Sequence, residues 1–113
     1  MFSELNNGSG GSGGINPTSI ESESYTDASS LHSFNTTSGK TYVISFAKRD
    51  TITESGLVVN GGSVVGFFAS PSYTFNSNTI YGYQIFIKAT GSSVSIKTGA
   101  NYHNMLWQVT QLD

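Results

Sequence analysis

The sequence predicts an all-β domain, an antiparallel β-sandwich of the jelly-roll kind, on three observations. Ser, Thr, Asn and Gly make up 53 of the 113 residues, and these residue types are poor in helix interiors. Apolar and polar residues alternate at period 2 in several short stretches, as in strands with one buried face. Turn signals separate those stretches at roughly the 8 to 12-residue spacing of sandwiches and barrels, and no stretch has a helical period.

The clearest alternation lies in residues 80–98, IYGYQIFIKATGSSVSIKT. Ile85 and Ile87 fall on one side of its first half and Phe86 on the other, which predicts a strand with one buried face. A turn signal follows at residues 90–93, and a second alternation comes after it. The stretch as a whole therefore predicts a β-hairpin.

The other elements are predicted from the same signals. In chain order they are a polar lead-in with an edge strand over 15–30, a short strand over 31–36, a strand over 41–48, a hairpin over 56–68 that turns at Asn60-Gly61, a polar loop over 69–78, a loop over 99–104 and a closing strand over 105–112. Trp107 shares its side of the closing strand with Met105 and Val109, so we expect it in the core and not as a sugar-stacking platform.

Residues 1–14 are predicted to lie outside the domain, which then spans residues 15–113. Residues 8–14 read GSGGSGG, a regular run typical of an engineered flexible spacer. The simplest interpretation is an expression remnant followed by a spacer. The alternative is a tethered strand or peptide with Phe2 and Leu5 as apolar anchors, and a seven-residue linker reaches at most about 25 Å.

Charge and composition argue against several partners. The net charge is −2, and the five Lys and Arg residues are scattered, so no basic stripe is available for a nucleic acid. No apolar run approaches the roughly 20 residues of a membrane-spanning helix. With no cysteine, the chain has neither a disulfide framework nor a thiolate metal site. We therefore expect no nucleic-acid partner and no membrane insertion.

The sequence carries no recognisable catalytic or metal-binding set. His32 and His103 are the only histidines, and nucleophile-elbow, HExxH and phosphate-loop motifs are lacking. Asp50 and Glu54 flank a polar turn next to Arg49, which favours a local ion pair over an acid/base pair. We expect a non-enzymatic protein with no cofactor and no metal, although calcium ligation by acidic loop residues stays open.

Two polar loops carry the candidate ligand-binding residues. They combine aromatic rings, which offer flat apolar faces, with amide and hydroxyl groups that can hydrogen-bond. Loops at the ends of a rigid sandwich are frequent binding sites. The alternative is that Tyr73 and Phe75 fold back to plug the sandwich end. The seven candidates are Tyr73, Phe75, Asn76, Asn78, Tyr102, His103 and Asn104.

A third group of residues predicts self-association. Phe86 lies on the side of its strand opposite the predicted core. If it is exposed and joins Val43 and either Val65 or Phe67 from neighbouring strands, it forms an apolar patch too large for a comfortable monomer. This patch would be a contact in a closed symmetric homo-oligomer.

Four segments together resemble a known class of module: GKTYVISFAK, NGGSVVGFF, IYGYQIFIKATGSSVSIKTG and LWQVTQL. They resemble the small β-sandwich modules of bacteriophage tail fibres and baseplate receptor-binding proteins, and are similar in texture to jelly-roll carbohydrate-binding modules. The resemblance implies a trimer on a virion or cell surface that binds a host-surface saccharide or protein. It carries over no binding residue, because no aromatic platform matches position by position.

These observations lead to two functional hypotheses. The first is a surface-recognition module that binds saccharide or another host-surface polymer through the two polar loops. The second is a structural or assembly subunit of a capsid, fibre or pilus-like particle, completed by a strand tethered through the N-terminal linker.

Overall fold

Nine β-strands and one short 3-10 turn form the part of the chain that the computed structural model describes, residues 17–113. Predictions about residues 1–14, including the tethered strand, fall outside this range. The strands are β1 (Thr18–Asp27), β2 (His32–Asn35), β3 (Thr41–Lys48), β4 (Val58–Asn60), β5 (Gly62–Ala69), β6 (Tyr73–Phe75), β7 (Asn78–Ala89), β8 (Ser93–Lys97) and β9 (His103–Gln111), and the turn is Glu54–Gly56. Within the described residues no helix is long and apolar enough to cross a membrane.

The strands pair antiparallel in two sheets. The large sheet has the order β1-β9-β3-β7-β5, with β6 also paired to β7, and the small sheet has the order β2-β8-β4. The chain thus passes from one sheet to the other at almost every connection, which is how a jelly roll wraps its two sheets. The predicted all-β sandwich is confirmed.

The core lies between the two sheets. The large sheet contributes Ile44, Ile85 and Trp107, and the small sheet contributes Val94 and Ile96, all nearly or fully buried. The prediction that Trp107 is a core residue is confirmed. The opposite side of the large sheet faces away from the core, and we call it the outer face.

Both predicted hairpins are wrong in their pairing. β7 and β8 lie in different sheets, and so do β4 and β5. Each connection crosses the sandwich, so the apolar sides of β7 and β8 face each other across the core instead of lying side by side. The period-2 alternation indicates only which side of a strand is buried. That side is the same whether two strands pair in one sheet or face each other across the core.

The one short hairpin in this region lies where a polar loop was predicted. β6 pairs with the start of β7, and Tyr73 lies opposite Ile80. The turn residues Asn76 and Ser77 both have positive φ, at 49° and 65°. That pair of conformations matches the primed turns that close two-residue hairpins.

Two β-bulges reset which side chains reach the outer face. In β5 the register shifts between Val64 and Gly66, so Phe67 packs against the core and Phe68 points outward. The prediction that Phe67 joins Phe86 at an oligomer contact is therefore wrong, because the extra residue of the bulge reverses the alternation after it. In β9 the register against β3 shifts near Leu106.

Candidate functional site

An apolar groove of about 450 Å³ lies on the outer face, between the β6/β7 hairpin and β9. Tyr73 and Phe75 form one wall, and Met105 and Leu106 form the other. Ile80 is nearly buried beneath the hairpin and closes the groove at its base. The register pairs Tyr73 with Ile80, so both side chains project on the same side of the hairpin. We call this depression the apolar groove.

The two aromatic residues of the hairpin do not plug the end of the sandwich. Tyr73 is 53% exposed and Phe75 is 64% exposed, and β6 has no buried residue. Their ring faces are therefore accessible along the groove.

A second depression of about 340 Å³ adjoins the first and shares Met105 with it. Tyr25, Arg49, Tyr102 and His103 form its walls, and we call it the arginine cleft. The ring of His103 packs against Tyr25 at a tilt of 42°, with the centroids 4.9 Å apart. The two loops singled out by the sequence thus come together on the same face of the molecule.

Arg49 is held in this cleft by two contacts. Its Nη2 donates to Oδ1 of Asn78 at 2.6 Å, and its guanidinium carbon lies 5.1 Å from the centroid of the Tyr102 ring. A cation over an aromatic face is attracted by the electron-rich ring. The contacts join the β6/β7 hairpin to the loop before β9.

A buried ion pair supports the cleft from behind. Lys48 is fully buried at the end of β3, and its Nζ donates to Oδ1 of Asp50 at 2.7 Å and to the carbonyl oxygen of Asn101. This ammonium therefore ties the segment after β3 to the loop that carries Tyr102. The pair also accounts for Asp50, which acts as a structural counter-ion here.

Tyr83 secures the same segment. Its hydroxyl donates to the carbonyl oxygen of Asp50 at 3.1 Å and accepts from the backbone N–H of Ile52 at 3.0 Å. Burial raises the pKa of Tyr83 above its usual value because the phenolate would lose its hydration. The hydroxyl stays protonated at neutral pH and keeps both hydrogen bonds.

Two bulky residues at the site adopt left-handed backbone conformations. Tyr102 has φ 62° and Leu106 has φ 54°, and both side chains are exposed, Leu106 by 73%. Non-glycine residues in this region are strained by roughly 1–3 kcal/mol, and such strain concentrates at functional sites. Here the bulge at Leu106 turns an apolar side chain outward, at the junction of the apolar groove with the polar surface beyond it.

Replacing Leu106 with glycine is expected to stabilise the fold. The left-handed conformation costs a leucine roughly 1–2 kcal/mol, and the greater backbone entropy of glycine offsets about half of that gain. The expected increase in the free energy of unfolding is about 0.5–1 kcal/mol, measured by urea denaturation.

Leu31→Gly is the matched control, because Leu31 is half exposed and does not have positive φ. There we expect a loss of about 0.5–1 kcal/mol. Equal losses in the two variants would show that Leu106 is not strained.

The three asparagines predicted to bind ligand have different positions. Asn76 lies in the hairpin turn and Asn78 holds Arg49. Asn104 is buried, accepting from Oγ1 of Thr98 at 2.8 Å and donating to Oγ1 of Thr26 at 3.2 Å. The prediction that Asn104 contacts ligand is wrong, because its amide group is hydrogen-bonded to two threonines inside the sandwich.

The outer face continues beyond Leu106 into a polar depression of about 530 Å³. Leu106 and Ser24 are shared with the apolar groove, and Gln108 adds an amide group. The outer face therefore presents the cation of Arg49 at the arginine cleft, apolar side chains in the groove beside it and polar groups beyond Leu106.

Asp27 lies next to the arginine cleft, and its carboxylate already accepts hydrogen bonds from the turn that follows it. The backbone N–H of Ser29 holds the pKa of Asp27 below its usual value, and the hydroxyls of Ser29 and Ser30 add to the effect. A carboxylate with this set of donors remains ionised and caps the turn between β1 and β2.

Sequence reasoning missed Tyr25, Arg49, Met105 and Leu106 as members of the site. Tyr25 was hidden in a polar edge strand, and Arg49 was interpreted as a break in a strand pattern. The only available signal was a bulky residue next to a strand irregularity. A bulge cannot be recognised from the sequence when the residue in it is a leucine.

The outer face also carries a second apolar patch, formed by Val43, Phe68 and Phe86. Val43 lies directly opposite Phe86 in the sheet, and the Phe68 ring meets Phe86 edge-on at 5.7 Å. Phe68 is 60% exposed. We call this group the phenylalanine patch.

Residues 17–113 contain no cluster of three or more His, Cys, Asp or Glu side chains arranged to hold a metal ion. Comparisons with family models, curated proteins and solved structures found no match to the chain.

Proposed function

We propose that the protein is a non-enzymatic surface-recognition module that binds saccharide along the outer face of its large sheet. The observation that carries the proposal is the row of exposed rings and apolar side chains in the apolar groove, flanked by amide, hydroxyl and charged groups. The resemblance of the sequence to phage tail-fibre modules supports a place for the protein on a virion or cell surface.

The chemistry of the groove suits sugar rings. The C–H faces of a pyranose are apolar and stack on aromatic rings, while its hydroxyls need hydrogen-bond partners at the rim. Tyr73 and Phe75 supply the stacking surfaces, and Gln108 and Ser24 supply polar groups at the rim. The binding residues project from a hydrogen-bonded sheet and hairpin, which limits the entropy lost on binding.

Replacing Tyr73 or Phe75 with alanine is expected to weaken saccharide binding fivefold or more, since a stacked ring contributes about 1 kcal/mol. Binding is measured by titration calorimetry with the best ligand from an array of neutral and acidic glycans. The melting temperature should stay within about 3 °C, because both rings are exposed.

Phe68→Ala is the matched control, since this ring is equally exposed but lies outside the apolar groove. It should bind like the wild type. Binding that survives in both groove variants would remove the apolar groove from the proposal.

The phenylalanine patch favours a second candidate function, an assembly subunit that self-associates through Val43, Phe68 and Phe86. On this alternative, light scattering on a size-exclusion column gives about 36 kDa for a trimer of the 12.0 kDa chain. Phe68→Ser should return the protein to a monomer, and Tyr73→Ser should not. A wild-type monomer at every concentration would exclude this alternative.

A further inference from the structure

We propose that the arginine cleft binds the carboxylate of an acidic saccharide, such as one that carries uronic or sialic acid residues. This inference rests on the proposed function and specifies its ligand class. It assigns the cleft to the acidic group and the neighbouring apolar groove to the rest of the sugar chain.

The guanidinium of Arg49 is positioned but not neutralised. Asn78 fixes one of its N–H groups, and its guanidinium carbon lies 5.1 Å from the centroid of the Tyr102 ring. Among the described residues, no carboxylate lies within ion-pair distance of Arg49. A guanidinium has five N–H donors in a fixed fork, so donors remain for an anion.

The acidic residues around the cleft are committed elsewhere. Asp50 pairs with the buried Lys48, and both oxygens of Asp27 accept hydrogen bonds from the serines of the following turn. Among the described residues that line the cleft, Arg49 therefore carries the one positive charge that has no paired carboxylate. An external carboxylate would pair with the Arg49 guanidinium without displacing an internal partner.

The residues that line the cleft suit a carboxylate on a sugar. A carboxylate is planar and matches the guanidinium fork with two parallel hydrogen bonds. Tyr25 and Tyr102 border the same space, so a ring that bears the carboxylate meets aromatic surface beside the cation.

The test compares acidic ligands with neutral counterparts of the same backbone. The probes are polygalacturonate against its methyl ester, and sialyllactose against lactose, with affinities measured by titration calorimetry. We expect at least one acid to bind tenfold or more tightly than its neutral partner. Arg49→Gln should abolish that preference, so that the acid binds no more tightly than its neutral partner.

Three further variants separate charge from geometry. Arg49→Lys keeps the charge but loses the planar fork, and Asn78→Ala keeps the guanidinium but frees it, so both should retain part of the preference. Lys97→Gln removes a charge from the small sheet and should retain all of it. Melting temperatures confirm that each variant is folded.

The outcomes distinguish this inference from the proposed function. If the acidic sugars bind no more tightly than their neutral partners, in a way that needs Tyr73 but not Arg49, the inference is wrong and the proposed function stands. If no glycan binds, the proposed function itself fails. If polyglutamate binds as tightly as the acidic sugars, the ligand is an acidic peptide and the saccharide assignment is overturned.

Discussion

Lys48→Ala is expected to lower the free energy of unfolding by about 3 kcal/mol, because it removes one partner of a buried ion pair. The lysine is fully buried, and its ammonium serves both Asp50 and the carbonyl of Asn101. Without it, the carboxylate and the carbonyl lose their shared donor, and the loop that carries Tyr102 loses its tie to β3. The change is measured by urea denaturation followed by circular dichroism.

Lys88→Ala is the control for this prediction, since Lys88 is exposed on the outer face of β7. Its effect should stay within about 0.5 kcal/mol. We also expect Lys48→Ala to weaken ligand binding in the arginine cleft at a temperature where the variant is still folded. A stability loss below about 1 kcal/mol would show that the buried ammonium contributes little to the fold.

Trp107→Ala is expected to cost about 4 kcal/mol, near the total stability of a small domain. The indole is fully buried in β9, its ring lies 5.4 Å from that of Phe46, and His32 meets it edge-on at 5.3 Å. Its Nε1 also donates to Oε2 of Glu21 at 2.7 Å. The substitution leaves a large cavity and removes one of the two hydrogen-bond partners of the Glu21 oxygen, so a much larger fraction of the protein should be unfolded at 37 °C.

Trp107→Phe separates the ring from the hydrogen bond. Phenylalanine keeps much of the apolar volume but has no N–H, so the expected cost is about 1–2 kcal/mol. The carboxylate of Glu21 still has His32, whose Nε2 lies 2.5 Å from the same oxygen. If both substitutions cost the same, the hydrogen bond to Glu21 and not the packing of the ring would dominate.

The strands themselves were predictable where alternation is regular. The bounds of β3, Thr41–Lys48, coincide with the predicted strand, and Ile85 and Ile87 are buried as expected. Burial of one side of a strand acts locally, and it therefore leaves a period-2 signal in the sequence.

Strand pairing was not predictable from the same signal. The residues between β7 and β8 carry the turn chemistry of a hairpin, yet they connect the two sheets. Which strand becomes a neighbour depends on how the whole sandwich closes, and β8 finds its partners in β2 and β4. Phe67 shows the related problem that one bulge residue reverses every side chain after it.

The candidate site was predictable in part. Tyr73 and Phe75 are exposed and Tyr102 and His103 lie in the adjoining cleft, as expected of loops on a rigid scaffold. Asn104 is in the same loop sequence but points inward, because Thr26 and Thr98 meet it inside the sandwich. Such a network depends on residues 78 positions apart and cannot be read from local pattern.

The most direct test of the central claim is a titration of the ¹⁵N-labelled protein with sialyllactose and with galacturonate oligomers, followed through the backbone amide resonances. We predict that the shifted resonances cluster in Arg49, residues 73–80 and residues 99–106, the segments that form the apolar groove and the arginine cleft. Shifts confined to β2, β4 and β8, or no shifts at about 1 mM ligand, would contradict a saccharide-binding site on the outer face.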